Sequence, residues 1–428
     1  MTAALDQARL EAAVAARSGD ALTGIRSAAL ARFLGQGLPG PRHEDWRYTN
    51  LGNVVDLSNR WLDSGAPRAE ADSISTAPEA IDAVWIPVVN GVVDRDRLAQ
   101  AADALGSDVT VTLLSEASGN PELLIDDALA SLNAALMPDA LRIQVSANST
   151  VNKPIGLLID DTGKDDAVTQ LRLIVDVGAN ASAEFVELHR SESGGARFCN
   201  SVTEARIDDG ARVAWAKIQE RAEGDTQIGR LQVTLGRDSR FEHAAIDLGG
   251  RLIRNDTTAT IAHPGAHFGT AGLYLTGDNQ HVDNHVTADH QVGPATSTQN
   301  YRGIAGGTSR CVFNGKAMVR EGADGTDAEQ SNHNLLLSKR AEIDTKPELE
   351  IYAEDVKCSH GATVGQLDDT ALFYLRSRGL DRDQAARVLT RAFAGSVIEQ
   401  VPVAAVADYL STAIDQKLDR IIEENRHD

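Results

Sequence analysis

The stretch QLRLIVDVGANASAEFVEL (residues 170–188) packs short Val/Ile/Leu alternations around one Gly/Asn turn, and its reading sets the fold class. Apolar residues at every second position mark half-buried strands. The same design returns in EARIDDGARVAWAKI (204–218), RLQVTLGRDSRFEHAAI (230–246) and TTATIAHPGAHFGTAGLYL (257–275). A turn followed by a small residue and a new strand recurs at Gly178, Gly210, Gly236 and Gly265, roughly 30 residues apart, which is within the range of solenoid repeats. This texture begins near Ala140 with LRIQVSANS. Strands so short and numerous, with no helical period between them, fit a sandwich or a stacked β-helix. The long irregular period, without a six-residue repeat, favours a parallel β-helix of large coils over the left-handed kind.

Outward from this core the period becomes helical on both sides. The spacing predicts two helices between Ala4 and Leu34, the second carrying Leu22, Ile25, Ala29 and Phe33 on one stripe. LPGPRHEDWRYTNL (38–51) is a Gly/Pro-rich loop whose Trp46 and Tyr48 should anchor it to a body. Residues 63–82 have linker composition, VWIPVVNGVV (84–93) reads as a hairpin turning at Asn90-Gly91, and a helix is expected over 118–135. After Leu367 the chain is helical again. Asp368 and Asp381 are caps, with Ala385, Val388, Leu389 and Phe393 expected on one face. Pro402 opens a last helix striped by Val403, Val406, Leu410, Ile414, Lys417 and Ile421. The expected division is 1–137 helical with a linker and hairpin, 138–366 β-helix, and 367–428 helical.

Composition narrows the function. The chain has 428 residues, 41 basic and 62 acidic, for a net charge of −21, which argues against non-specific nucleic-acid or anionic-membrane binding. The start reads as a charged amphipathic helix rather than a signal peptide, and three cysteines suit a reducing cytoplasm. There is no Gly-x4-Gly-Lys-Ser/Thr, no dinucleotide Gly-x-Gly-x-x-Gly and no Gly-x-Ser-x-Gly, so no standard nucleotide pocket or serine nucleophile is encoded.

The densest chemistry lies in KPELEIYAEDVKCSHGATVGQLDDTALFYLRSRGL (346–380). Leu349, Ile351 and Ala353 alternate as in a strand, and Val356, Cys358 and His360 continue one parity, which Glu354 shares. Gly361 and Gly365 should break the strand. A thiolate beside an imidazole suits iron or zinc, yet two ligands do not close a site. Other residues, a second chain, or a purely structural Cys and His remain open. His281, Asp283 and His285, in QHVDNHVTADH, form a second candidate triplet, with a hydrogen-bonded polar strand face as the plainer reading. Cys311 is expected in the core. Cys199, His263, His267 and the Asn332–His333–Asn334 run carry no stronger signal.

The run from Tyr301 to Leu380, with YRGI, VFNGKAMV, DAEQSNHNLLLS, KPELEI, DVKCSHGATVG and LFYLRSRGL, resembles the SufB/SufD family of iron–sulfur cluster assembly proteins. PRHEDWRYTNL and IPVVNGVV extend the resemblance over nearly the whole chain, and DVKCSHGAT looks like the SufD branch. The resemblance implies a right-handed parallel β-helix with N- and C-terminal helical regions, and a non-ATPase subunit that pairs with a SufB-like chain and docks a SufC-like ABC ATPase. It implies a transient iron–sulfur cluster shared at the SufB interface, with His360 as a nitrogen ligand and Cys358 its neighbour. Residues 372–410 become the expected ATPase dock, and homodimerisation of an isolated chain is a further expectation. Two rivals stand beside it. One is a β-helix enzyme acting on polysaccharide, for which Asp283 and Asp289 are the only suggestive acids. The other is a scaffold that never touches metal.

Overall fold

The fold follows from side-chain parity. Each strand turns one row inward and one outward, and each turn rotates the chain by one face of a flattened coil. The structure, a computed structural model, describes residues 4–66, 76–117, 123, 127–163 and 166–425. It is a right-handed parallel β-helix of about seven turns, flanked by N- and C-terminal helices.

Sheet A runs β2 (Val92–Val93), β1 (Val84–Val89), β5 (Ile155–Asp161), β7 (Ser182–Ser191), β9 (Arg212–Glu220), β11 (Arg240–Asp247), β13 (His267–Thr276), β15 (Thr296–Ala305), β17 (Asp327–Leu336) and β19 (Lys357–Gln366). Sheet B runs β3 (Val109–Leu113), β4 (Leu141–Val145), β6 (Ala167–Val177), β8 (Arg197–Ile207), β10 (Thr226–Leu235), β12 (Leu252–Ile261), β14 (His281–His290), β16 (Arg310–Val319) and β18 (Glu342–Ile351). Leu235 aligns with Ile261 and Val319 with Ile351, so these two coils hold 26 and 32 residues.

The tight turns from sheet B to sheet A need a left-handed residue, and the sequence supplies Asn180, Gly210, Asp238 and Gly265 in successive coils, with φ between 53° and 77°. A Cβ on Gly210 would strike the Asn180 side chain, and one on Gly265 the Asp238 side chain. Glycine therefore follows Asn180 and Asp238 because those side chains fill the space its Cβ would need.

The first end of the rod is closed. Asn90 and Gly91 turn β1 into β2, and α4 (Arg95–Leu105) lies over β1 and β3, with Leu98 and Ala101 in the lumen core. α1 (Gln7–Ala15), α2 (Thr23–Gln36), α3 (Gly52–Asp63) and α5 (Ala128–Leu136) cover the outer face of sheet B through Phe33, Trp61, Leu132, Phe198 and Ile228. α6 (Asp369–Ser377), α7 (Arg382–Ile398) and α8 (Ala407–Glu424) serve sheet A, where Leu410 and Ile414 meet Ile218, Leu273 and Ile304.

Several expectations change. The linker at 63–82 and the helix at 118–135 lie partly outside the described residues, and the helix that is seen there begins at Ala128. Val388 is exposed, because α7 turns Ala385, Ala394 and Val397 inward instead. Lys417 is half-buried at the edge of the α8 stripe, which Leu418 and Ile422 complete.

Candidate ligand pair at the open end of the solenoid

β18 and β19 stand last in their sheets, so the rod ends in two strands bonded on one side only. Residues 352–356 form a corner between them. The parity row read through this corner is therefore not continuous, and Glu354 is exposed on the corner, its N–H bonded to Asp324 Oδ1 at 3.2 Å. Gly361 and Gly365 do not break β19. They occupy outward positions with open space around them, where absence of a side chain leaves the ladder to β17 intact.

Cys358 and His360 share one face of β19. Cys358 stacks on Ala328 and His360 on Gln330, both buried lumen residues of β17. The pair thus faces along the open mouth. Cys358 is half-buried, and burial pushes its thiol up, so it needs a metal or a cation to become thiolate. His360 is exposed. Beneath it Gln330 spans the lumen: with its amide oriented to satisfy both atoms, it accepts from Ala317 N–H at 2.8 Å on β16. The pair therefore sits on a cross-braced floor. Around it the edge exposes Tyr352, 62% accessible, and Val364, 44%. Among the described residues no group of three or more His, Cys, Asp and Glu is placed to hold a metal ion.

The His281–Asp283–His285 triplet has another occupation. These side chains lie on the outer face of β14, where the loop after α2 crosses them. Arg254 stacks 4.0 Å from the Trp46 ring, and its Nη1 donates to Asp45 O at 2.7 Å and to Asp283 Oδ2 at 2.6 Å. Thr49 Oγ1 donates to Asp283, and His285 Nε2 lies 2.9 Å from Asp283 Oδ1. Burial would raise the Asp283 carboxyl, but His285, Arg254 and Thr49 hold it far below the usual range. The clip continues to Lys346 on β18, 2.7 Å from Glu44. Trp46 is buried, as an anchoring aromatic should be.

Sequence reading missed a polar lumen. Trp215 and Lys217 follow Val213 at inward parity, and that charged residue in an apolar row is the signal. Trp215 Nε1 donates to Glu187 Oε1 at 3.1 Å, His189 Nε2 lies 2.8 Å from Glu187 Oε2, and Lys217 Nζ donates to Asn255 at 2.9 Å. Burial pushes His189 and His243 down to about 4 and the Cys199 thiol up to about 12, so Cys199 is an inert thiol here. Cys311 is core, as expected.

Comparison with known proteins agrees with the geometry. Residues 159–393 match the model of the SUF system FeS cluster assembly SufBD core domain, and residues 7–157 match the SufBD protein N-terminal region. The chain belongs to the SufBD family. Among SufBD relatives, the iron–sulfur cluster assembly protein SufD of Escherichia coli is 28% identical over 395 residues, 91% of each chain. An iron–sulfur cluster assembly SufBD family protein of Synechocystis is 28% identical over 432 residues, covering 95% of this chain and 94% of its own. SufD of Bacillus subtilis is 28% identical over 294 residues, 68% of this chain and 67% of its own. No helix of this SufBD protein, among the described residues, is long and apolar enough to cross a membrane.

Proposed function

We propose that this chain is the non-ATPase, SufD-type subunit of a cytoplasmic iron–sulfur assembly complex, and that it contributes His360 to a nascent cluster at its junction with a SufB-type subunit. The observation that carries the reading is the position of Cys358 and His360, an incomplete ligand set on an edge strand at an open end of the rod. A second solenoid offered to that end would satisfy the unpaired backbone of β18 and β19 and bring its own donors to the mouth. The cluster is cargo built across the junction. His360 would supply neutral imidazole nitrogen, Cys358 an accessory thiolate once metal displaces its proton, and Gln330 the floor that fixes the strand.

The other half of the proposal is docking. α6 leaves Phe373 72% and Tyr374 56% accessible beside Arg376 and Arg378, a face suited to a SufC-type ATPase. Closure of a nucleotide-bound ATPase pair would then shift α6 and α7 against the solenoid and open the junction to iron and sulfide. The chain supplies no nucleotide chemistry of its own in this scheme. Without its partner, it would pair with a second copy through the same edges.

The test is iron and sulfide content of the complex co-purified with SufB-type and SufC-type subunits, wild type against His360→Ala. The expected result is loss of most cluster at unchanged subunit ratio. Full cluster content in the variant would reduce this chain to an adaptor, and a complex that dissociates would give the histidine a packing role.

A further inference from the structure

On the outer face of sheet A, one column of side chains leads from α7 to the edge strand. Arg302 on β15 aligns with His333 on β17, and His333 with Thr363 on β19. His333 Nδ1 lies 2.8 Å from Thr363 Oγ1. At the other end Arg302 Nη1 donates to the Phe393 carbonyl of α7 at 2.9 Å, and its guanidinium sits 4.7 Å from the centre of the Phe393 ring. A second tie, Asn300 Nδ2 to Gln400 Oε1 at 2.8 Å, fixes the end of α7 to the same strand.

Arg302 is an unusual guanidinium. Among the described residues no carboxylate pairs with it, burial alone acting on its charge, and its buried Nε has no partner. Among the described residues its hydrogen bond and its ring contact both go to α7, and its charge bears on His333 one rung away. Thr363 is three residues from His360 on the opposite face of a strand that is bonded on one side only. Such a strand is the cheapest element in the sheet to displace.

We propose that Arg302 is a positioning residue that couples α7, through His333 and Thr363, to the edge strand carrying His360. The inference rests on the docking half of the proposed function and names the route by which it reaches the ligand strand. Movement of α7 withdraws the Phe393 carbonyl and ring from Arg302. The guanidinium then shifts against His333, and the His333–Thr363 bond loosens or tightens with it. β19 responds as a unit, and His360 with it.

The test follows amide hydrogen exchange of residues 357–366 in the assembled complex, with and without a non-hydrolysable ATP analogue. In wild type the analogue should change exchange there about fivefold, the effect of one hydrogen bond gained or lost. Arg302→Met should abolish that difference while subunit ratio and protection of β7 and β9 stay as in wild type. Thr363→Val, an exposed substitution at the far end of the column, should do the same, and it keeps the question answerable if Arg302→Met fails to fold. A nucleotide response that survives both variants, or none in wild type, overturns the coupling. If His360→Ala keeps its cluster while Arg302→Met still loses the response, the ligand role fails and the coupling stands.

Discussion

Asp283 shows how one carboxylate can be mistaken for chemistry and turn out to hold the molecule together. It is buried and receives Arg254 and Thr49 from two separate parts of the chain. Removing one partner of a buried ion pair leaves the other desolvated. Asp283→Ala should therefore cost about 3 kcal/mol in urea unfolding, the low end for such pairs because Arg254 keeps Asp256 at 2.8 Å. A loss below about 1 kcal/mol, the level of a surface pair, would mean that the Trp46 loop holds without it. At this scale the sequence was legible in part. Strand parity put His281, Asp283 and His285 on one face, but nothing local could say that a loop more than two hundred residues earlier covers that face. Cys358 and His360 were legible as a pair because they share a strand, and their incompleteness was legible too.

Among the elements, turns were easier to read than corners. The glycine-marked turns fall where expected for two reasons: Gly210 and Gly265 take the left-handed backbone themselves, while Gly178 and Gly236 stand against the Ala147 and Asp209 backbone with no room for a Cβ and leave the left-handed place to Asn180 and Asp238. The corner at 352–356 shows only as a change of parity, from odd at Leu349, Ile351 and Ala353 to even at Val356, Cys358 and His360, which a short acidic step between them disguises. The two kinds of glycine should separate by experiment. Gly265→Ala demands a left-handed alanine and displaces Asp238, so it should destabilise by at least about 1 kcal/mol. Gly361→Ala, extended and in open space, should stay within about 0.5 kcal/mol. Equal effects on the thermal midpoint would contradict the difference in their surroundings. The edge strand itself could not be recognised from its own residues, which look like those of any inner strand. What makes it an edge is that, among the described residues, no further strand of that sheet follows it.

For the whole molecule, the apolar alternation announced a solenoid, while its polar interior stayed hidden behind residues such as Lys217 and His243. That interior should be visible as acid sensitivity. Burial holds His189, His243 and His290 at about 4, against an ordinary value near 6.5. Between those values the unfolded chain binds protons that the folded chain refuses. Stability is thus complete above about pH 6.5 and declines as pH falls toward 4, by up to about 3 kcal/mol per histidine. The urea midpoint should drop clearly between about pH 7 and about pH 5, a window above the ordinary carboxylate range. A midpoint that does not move would show that these imidazoles titrate normally.

The loop that crosses sheet B also fixes a count. Its contacts fall on Arg254 of β12, Asp283 of β14, Arg310 of β16, whose guanidinium lies 5.4 Å from the Tyr48 ring, and Lys346 of β18. Four consecutive rungs are measured against one short piece of chain. A coil added or lost after β12 would move Lys346 one rung, about 4.8 Å, out of reach of Glu44. The helices on either side of the loop hold the earlier rungs through Phe198 and Ile228, so the distance from the helical cover to the strand of His360 is held to gauge.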